Sequence, residues 1–118
     1  MFSQTVLEHF RNPHNAGEVA NADATVEVVN PVCGDVLRLS VRMDAGRVAE
    51  ARFKTQGCVA AIAASSVLTD FLVGKPVAEF RLITAQQISE ELGTLPPATF
   101  HAAQLCADAL GALASKLV

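Results

Sequence analysis

Tryptophan and tyrosine are both missing from this 118-residue chain, and six phenylalanines are its whole aromatic complement. Charge is scarce as well: 18% of residues are charged against 51% apolar, where ordinary globular chains carry about a quarter charged. So apolar a composition opposes disorder, and the shortage of charge leaves room for an apolar partner surface. Nine lysines and arginines against twelve acids give a net charge of −3, which lacks the basic footprint of a nucleic-acid binder. No apolar run approaches the roughly 20 residues that a membrane helix needs. The opening "MFSQTVLEHFRNPHN" carries polar residues throughout and lacks the pattern of a secretory leader. Internal repeats, low-complexity tracts and linkers are absent, and the length suits one domain over residues 1–118, able to bury a core without staples.

Cysteine is limited to Cys33, Cys58 and Cys106. An odd count without a leader fits a reducing, cytoplasmic setting. No CxxC pair occurs, which removes zinc-finger and thioredoxin-type spacings. These thiols are metal ligands or small buried hydrophobes rather than a disulfide framework.

Periodicity sets out the elements. Residues 3–10 read as a short helix with Ser3 as its cap, followed by the loop "RNPHNAG", in which His9 and His14 read as surface or turn residues without a ligand role. Residues 25–29 are β-branched and suit a strand. Residues 36–43 alternate, with Leu37, Leu39, Val41 and Met43 on one face, and "DAG" makes a hairpin turn into a return strand over 47–54 with Ala49, Ala51 and Phe53 on one side. From 58 to 72 the pattern is helical, stopped by Gly74. The small residues of "AAIAASS" let this helix approach the sheet closely. Thr84 caps a short helix at 85–92, and "LPP" sets up a last helix over 97–117. A helix, a β block and then helices make an α+β fold with helices packed on a three-stranded antiparallel sheet.

Four side chains fall at the ends of these elements, where functional groups tend to sit. Cys33 and Asp35 share the loop "NPVCGD", with Gly34 between them permitting a tight path. Cys58 opens a helix, where free N–H groups and the helix dipole favour a thiolate. His101 lies in the first turns of the last helix. Two thiolates, an imidazole and a carboxylate are a four-ligand set for zinc or iron. Spacing alone leaves the plainer readings open: each thiol as a core residue, Asp35 as part of an Asx turn, His101 as an ordinary helix residue. Lys54 either lends positive charge to the thiolates or is a solvated strand end.

The words "VLEHFRNPHNAG" (6–17), "NPVCGD" (30–35), "ARFKTQGCVAAIAASS" (51–66) and "LPPATFHAAQLCADAL" (95–110) span nearly the whole chain. In that order they resemble the iron–sulfur cluster assembly scaffold family, of the IscU and NifU N-terminal type. The resemblance implies a compact α+β domain with a three-stranded antiparallel sheet, and Cys33, Asp35, Cys58 and His101 converging on a metal or cluster site near one tip. It implies a scaffold or carrier that takes sulfur from a cysteine desulfurase. Such a carrier transiently binds iron and sulfide, or a [2Fe–2S] cluster, and passes it to apo iron–sulfur acceptor proteins. Asp35 would then be a weaker, exchangeable oxygen ligand. The mechanism would be ligand exchange and not enzymatic turnover.

The chain departs from that pattern in three places. The family usually has a third cysteine directly after the histidine, where this chain has Ala102. Cys106 lies about 140° around the helix from His101 and is expected in the core. Two thiolates with His101 and Asp35 still form a possible cluster site, because histidine can replace a thiolate on iron. Thr99 stands where the chaperone-recognition word has lysine, which counts against handover by that specialised chaperone. His14 stands where arginine is common. Ala102 favours an alternative, a zinc-binding structural or regulatory partner without cluster transfer, since two S, one N and one O suit tetrahedral zinc. An enzyme with Cys58 as nucleophile and His101 as base is a third option, but no oxyanion-hole word accompanies it.

Overall fold

The computed structural model describes residues 2–117. Its first helix, α1 (Gln4–Arg11), is capped as expected. Ser3 Oγ accepts from the Val6 N–H at 3.1 Å, and the same hydroxyl donates to the Leu92 carbonyl at 2.6 Å, fixing the helix start to a distant part of the chain.

Three strands follow: β1 (Ala24–Val29), β2 (Val36–Asp44) and β3 (Arg47–Gln56), antiparallel and in the order β1-β2-β3. The β2–β3 turn holds Ala45 at φ 53° and Gly46 at φ 78°, the pair of left-handed residues that a two-residue type I′ hairpin requires. On β2 the alternation holds, with Leu37, Leu39 and Val41 fully buried. Ser40, on the other face, is buried too, because the chain around Val19 lies over it and the Val19 N–H donates to Ser40 Oγ at 3.0 Å.

β3 corrects the expected alternation. Ala51 and Phe53 are buried, but Val48 takes the inward place expected of Ala49, which is exposed. Pairing passes from Arg42↔Glu50 to Met43↔Val48, so Ala49 faces no partner. One extra residue on a strand exchanges its inner and outer faces beyond that point.

The helix α2 (Val59–Leu72) runs through the centre. Ala60, Ala61, Ala63, Ala64, Ser65 and Ser66 are all buried, as are Val67, Leu68, Thr69 and Leu72. A helix buried on most sides needs small side chains wherever a neighbour comes close, and α2 touches α1, β3 and the last helix, α4 (His101–Leu117). α4 in turn lies against β1, so the two long helices cover the sheet and meet over it.

Between them the chain makes a 3₁₀ turn at Val77–Leu82 and then α3 (Ala85–Glu91). A capping box opens α3: Thr84 and Gln87 exchange side-chain-to-backbone bonds. The last helix starts later than expected. Pro97 forces Pro96 into an extended conformation at ψ 155°, Pro97–Thr99 wind as a separate 3₁₀ turn, and α4 begins at His101. The double proline thus precedes the helix and leaves His101 as its first residue.

Candidate functional site

The loop from Asn30 to Asp35 is a hairpin connection built around Asn30. Its side-chain oxygen accepts from the backbone N–H groups of Val32 (2.9 Å) and Cys33 (3.3 Å), while its carbonyl accepts from the Gly34 N–H at 2.8 Å. The Asn30 N–H donates to the Asp35 carbonyl at 2.8 Å, which extends the β1–β2 ladder by one bond. Gly34 sits at φ 76°, a left-handed position that glycine adopts without strain. The Asx turn is therefore made by Asn30, not Asp35. The loop lifts Cys33 into solvent, beside a Val32 that is 93% exposed.

Asp35 turns the other way, and only 8% of its surface is exposed. Its Oδ2 lies 3.6 Å from Cys58 Sγ and 3.6 Å from His101 Nε2, and Cys58 Sγ lies 3.9 Å from that nitrogen. Donor atoms of Cys33, Asp35 and His101 also fall within 4.8 Å of one another. The four side chains come from the β1–β2 loop (Cys33 and Asp35, the latter just before β2), the N-cap position of α2 and the first residue of α4. Ligands at zinc-type distances of about 2.0–2.3 Å in a tetrahedron are separated by about 3.3–3.8 Å. The Cys58–Asp35–His101 triangle is already close to that spacing, with Cys33 on a loop beside it.

Gly57 makes this possible, and the sequence reading missed it. A Cβ at Gly57 would lie 2.6 Å from Asp35 Cγ and 2.9 Å from both carboxylate oxygens. The carboxylate fits only because that position has no side chain. The available signal was a glycine immediately before the thiol at a strand-to-helix junction.

The thiol of Cys58 corrects another expectation. Cys58 is the N-cap residue of α2, with extended backbone at φ −74°, ψ 170° and no capping bond from its side chain, and the nearby N–H groups of Ala61 and Ala60 pull its pKa down only in part. Burial pushes it up by more, and the Asp35 carboxylate adds to the rise, so the net direction is above the ordinary thiol value of 9.0. In the metal-free protein the proton stays on. A bound cation supplies the positive charge that reverses this balance.

Cys106 is fully buried and its thiol is pushed up to about 12 by desolvation, which places it in the core as expected. Ala102, beside His101, is also fully buried, and the third thiol, Cys106, lies in the core instead. Lys54 pairs with Glu18 at 3.4 Å, the solvated strand-end role. Thr99 is half-buried, its hydroxyl donating to the Pro96 carbonyl. His9 and His14, read from the sequence as surface or turn residues without a ligand role, are brought together with Asp70. Donor atoms of the three lie within 4.8 Å of one another.

The fold and the tip together define a class: a small α+β domain that presents two thiols, a carboxylate and an imidazole at the ends of its elements. The profile of the NifU-like N-terminal domain matches residues 1–117, and the chain belongs to that family. It is 42% identical over 110 residues to the iron–sulfur cluster assembly scaffold protein IscU 1 of Archaeoglobus fulgidus, covering 93% of this chain and 72% of that one. Against the iron–sulfur cluster assembly scaffold protein IscU of Escherichia coli, identity is 42% over 115 residues, covering 94% of this chain and 89% of the relative. A crystal structure from Fervidobacterium islandicum, described as a candidate scaffold protein of the SUF system, superposes with a TM-score of 0.78 at 19% identity over 96% of both chains. At that identity the likeness speaks for the fold, and it supports the three-stranded α+β architecture.

Proposed function

We propose that this protein is an iron–sulfur cluster assembly scaffold, which holds iron and sulfide, or a [2Fe–2S] unit, as cargo at Cys33, Asp35, Cys58 and His101. The observation that carries this reading is the meeting of those four side chains in a chain 42% identical to proteins named as such scaffolds. The chemistry is ligand exchange and not turnover of a small substrate. Cys33, exposed on its loop, is the thiol that a cysteine desulfurase can reach. Its thiolate attacks the terminal sulfur of the donor's persulfide, a new S–S bond forms on Cys33, and the donor leaves as a thiolate. Reduction of that sulfur to sulfide takes two electrons from a thiol or ferredoxin-class reductant. Cys58 and His101 supply the inner ligands. Asp35, a hard oxygen on a soft cluster, is the bond most easily surrendered to an incoming acceptor thiolate.

Anaerobic reconstitution with iron, a cysteine desulfurase and cysteine tests the proposal. The expected result is a sulfide-to-iron charge-transfer absorption that Cys58→Ala abolishes. No absorption in the native chain, or full absorption in the variant, would overturn it.

Ala102 supports a second reading, in which the same four atoms hold zinc and the protein acts as a structural or regulatory partner without cluster transfer. The 3.6, 3.6 and 3.9 Å separations fit one tetrahedral ion. Metal analysis of protein purified under reducing conditions, taken with the reconstitution, separates the two.

A further inference from the structure

We propose that His9, His14 and Asp70 form a second metal site, for a divalent cation of the zinc class, near the far end of α2 from the thiols. Three elements supply the donors: α1, the loop after it, and α2. By helical rise, Asp70 lies roughly 18 Å along α2 from Cys58. The tip site and this one therefore share a helix but no ligand, and the inference stands whether or not the scaffold reading does.

The geometry goes beyond a chance surface pair. One donor atom from each residue lies within 4.8 Å of the other two, and the imidazole rings are 4.6 Å apart, tilted by 49°. Each ring has one nitrogen already oriented. His9 Nδ1 is 2.7 Å from Ser66 Oγ, and His14 Nδ1 is 2.6 Å from Asp70 Oδ2. His9 is thus fixed through Nδ1 with Nε2 left to coordinate, the arrangement in which an outer partner aims a ligating histidine. The His14 backbone is held from both sides: its N–H donates to Ser66 Oγ at 2.8 Å, and its carbonyl accepts from Thr69 Oγ1 at 3.3 Å. Asn15, at φ 60°, adds a bond from its amide to Thr69 Oγ1. The ligands are in place before any ion arrives.

Two imidazoles and one carboxylate are the donor set of open zinc sites. Without a thiolate the set favours Zn²⁺, Co²⁺ or Ni²⁺ over softer ions. The side chains of His14 and Asp70 are 53% and 41% exposed, and a cleft of about 380 Å³ lined by Glu8, His9, Asn12 and His14 opens beside them. Water can complete the coordination there. A bound ion replaces the proton between His14 and Asp70 and clamps α1 and its loop to α2.

The test uses the full chain with Cys33→Ala and Cys58→Ala, which removes the thiolates of the tip. Titration with Co²⁺ is expected to give d–d absorption without thiolate charge transfer, saturating at one ion per chain. Adding His14→Arg keeps a cation against Asp70, and so the packing, but removes a ligand. Affinity should then fall by more than the roughly 10–100-fold typical of losing an outer partner alone. Nitrogen-15 spectra with Zn²⁺ should shift the rings of His9 and His14 and leave His101 unmoved. An unsaturable titration, an affinity unchanged by His14→Arg, or a shift at His101 alone would each overturn the proposal. Should the double variant fail to fold, zinc stoichiometry in the native chain decides. One ion fewer in His14→Arg supports the site, and equal stoichiometry sinks it.

Discussion

The two ends of α2 are built on opposite terms. At the thiol end, four donors meet through contacts of 3.6–3.9 Å and longer, chiefly with one another. At the histidine end, backbone and side chains are tied by bonds of 2.6–3.3 Å to Ser66, Thr69 and Asp70. A site that must accept and release cargo gains from donors that few other bonds restrain. An anchor gains from the reverse. One rigid helix carries both, so the loose end is positioned without being locked.

The contrast can be broken most directly by paired substitutions. Cys58→Ala is expected to abolish cluster reconstitution while shifting denaturant stability by less than ~1 kcal/mol, the range for a change that removes no buried network. Ser66→Ala should do the opposite: cluster absorption stays, and stability drops by ~1–3 kcal/mol because the His14 N–H and the His9 ring lose their partner. Equal stability losses in the two variants would erase the distinction. Gly57→Ala lies between them. Its Cβ drives out the Asp35 carboxylate, at a cost of ~1–3 kcal/mol by overpacking, and a thermal melt run beside reconstitution should show both stability and cluster retention impaired.

Thiol chemistry sharpens the comparison further. Alkylation followed by peptide mass spectrometry should mark Cys33 first, Cys58 more slowly and Cys106 only on unfolding. Exposure falls in that order, and burial with the Asp35 carboxylate keeps the Cys58 thiol protonated. Asp35→Asn should quicken Cys58. The smallest effect concerns pH at the other end. Burial, and then the neighbouring His14, hold His9 below its ordinary 6.5. As pH falls through 6.5 the unfolded chain takes up that proton first, so stability present above 6.5 declines toward the lower folded value. The urea midpoint of His9→Asn should fall less between pH 7 and 5 than that of the native chain.

Much of this could be read in the sequence, and the misses share a cause. Leu37, Leu39 and Val41 alternate within one strand, Ser3 and Thr84 cap the helices they precede, and Cys33, Asp35, Cys58 and His101 stand at element ends. All of that is local pattern, joined for the site by the order of four quoted words. The bulge at Ala49 is a matter of register between two strands, which neither strand records alone. The clearance at Gly57 depends on a carboxylate from a distant loop, and the raised thiol of Cys58 depends on burial first, to which that carboxylate, 23 residues away, adds. His9, His14 and Asp70 stayed apart on paper because a loop with Asn15 in a left-handed conformation folds them together. The 3₁₀ turn at Val77–Leu82 is too short to show a period.

The outer margin of β3 is occupied by two other stretches of chain. Residues 15–17 bond to Phe53 through its N–H and its carbonyl, and residues 74–75 do the same to Val48. An open margin there would let a second copy add its own strand and begin a ribbon. With those positions filled, stacking of sheets into fibrils loses its starting point on that side. A docking protein finds the outward backbone groups of Val48 and Phe53 already taken on that side, which shifts its selection toward the shapes and charges of side chains around the loops.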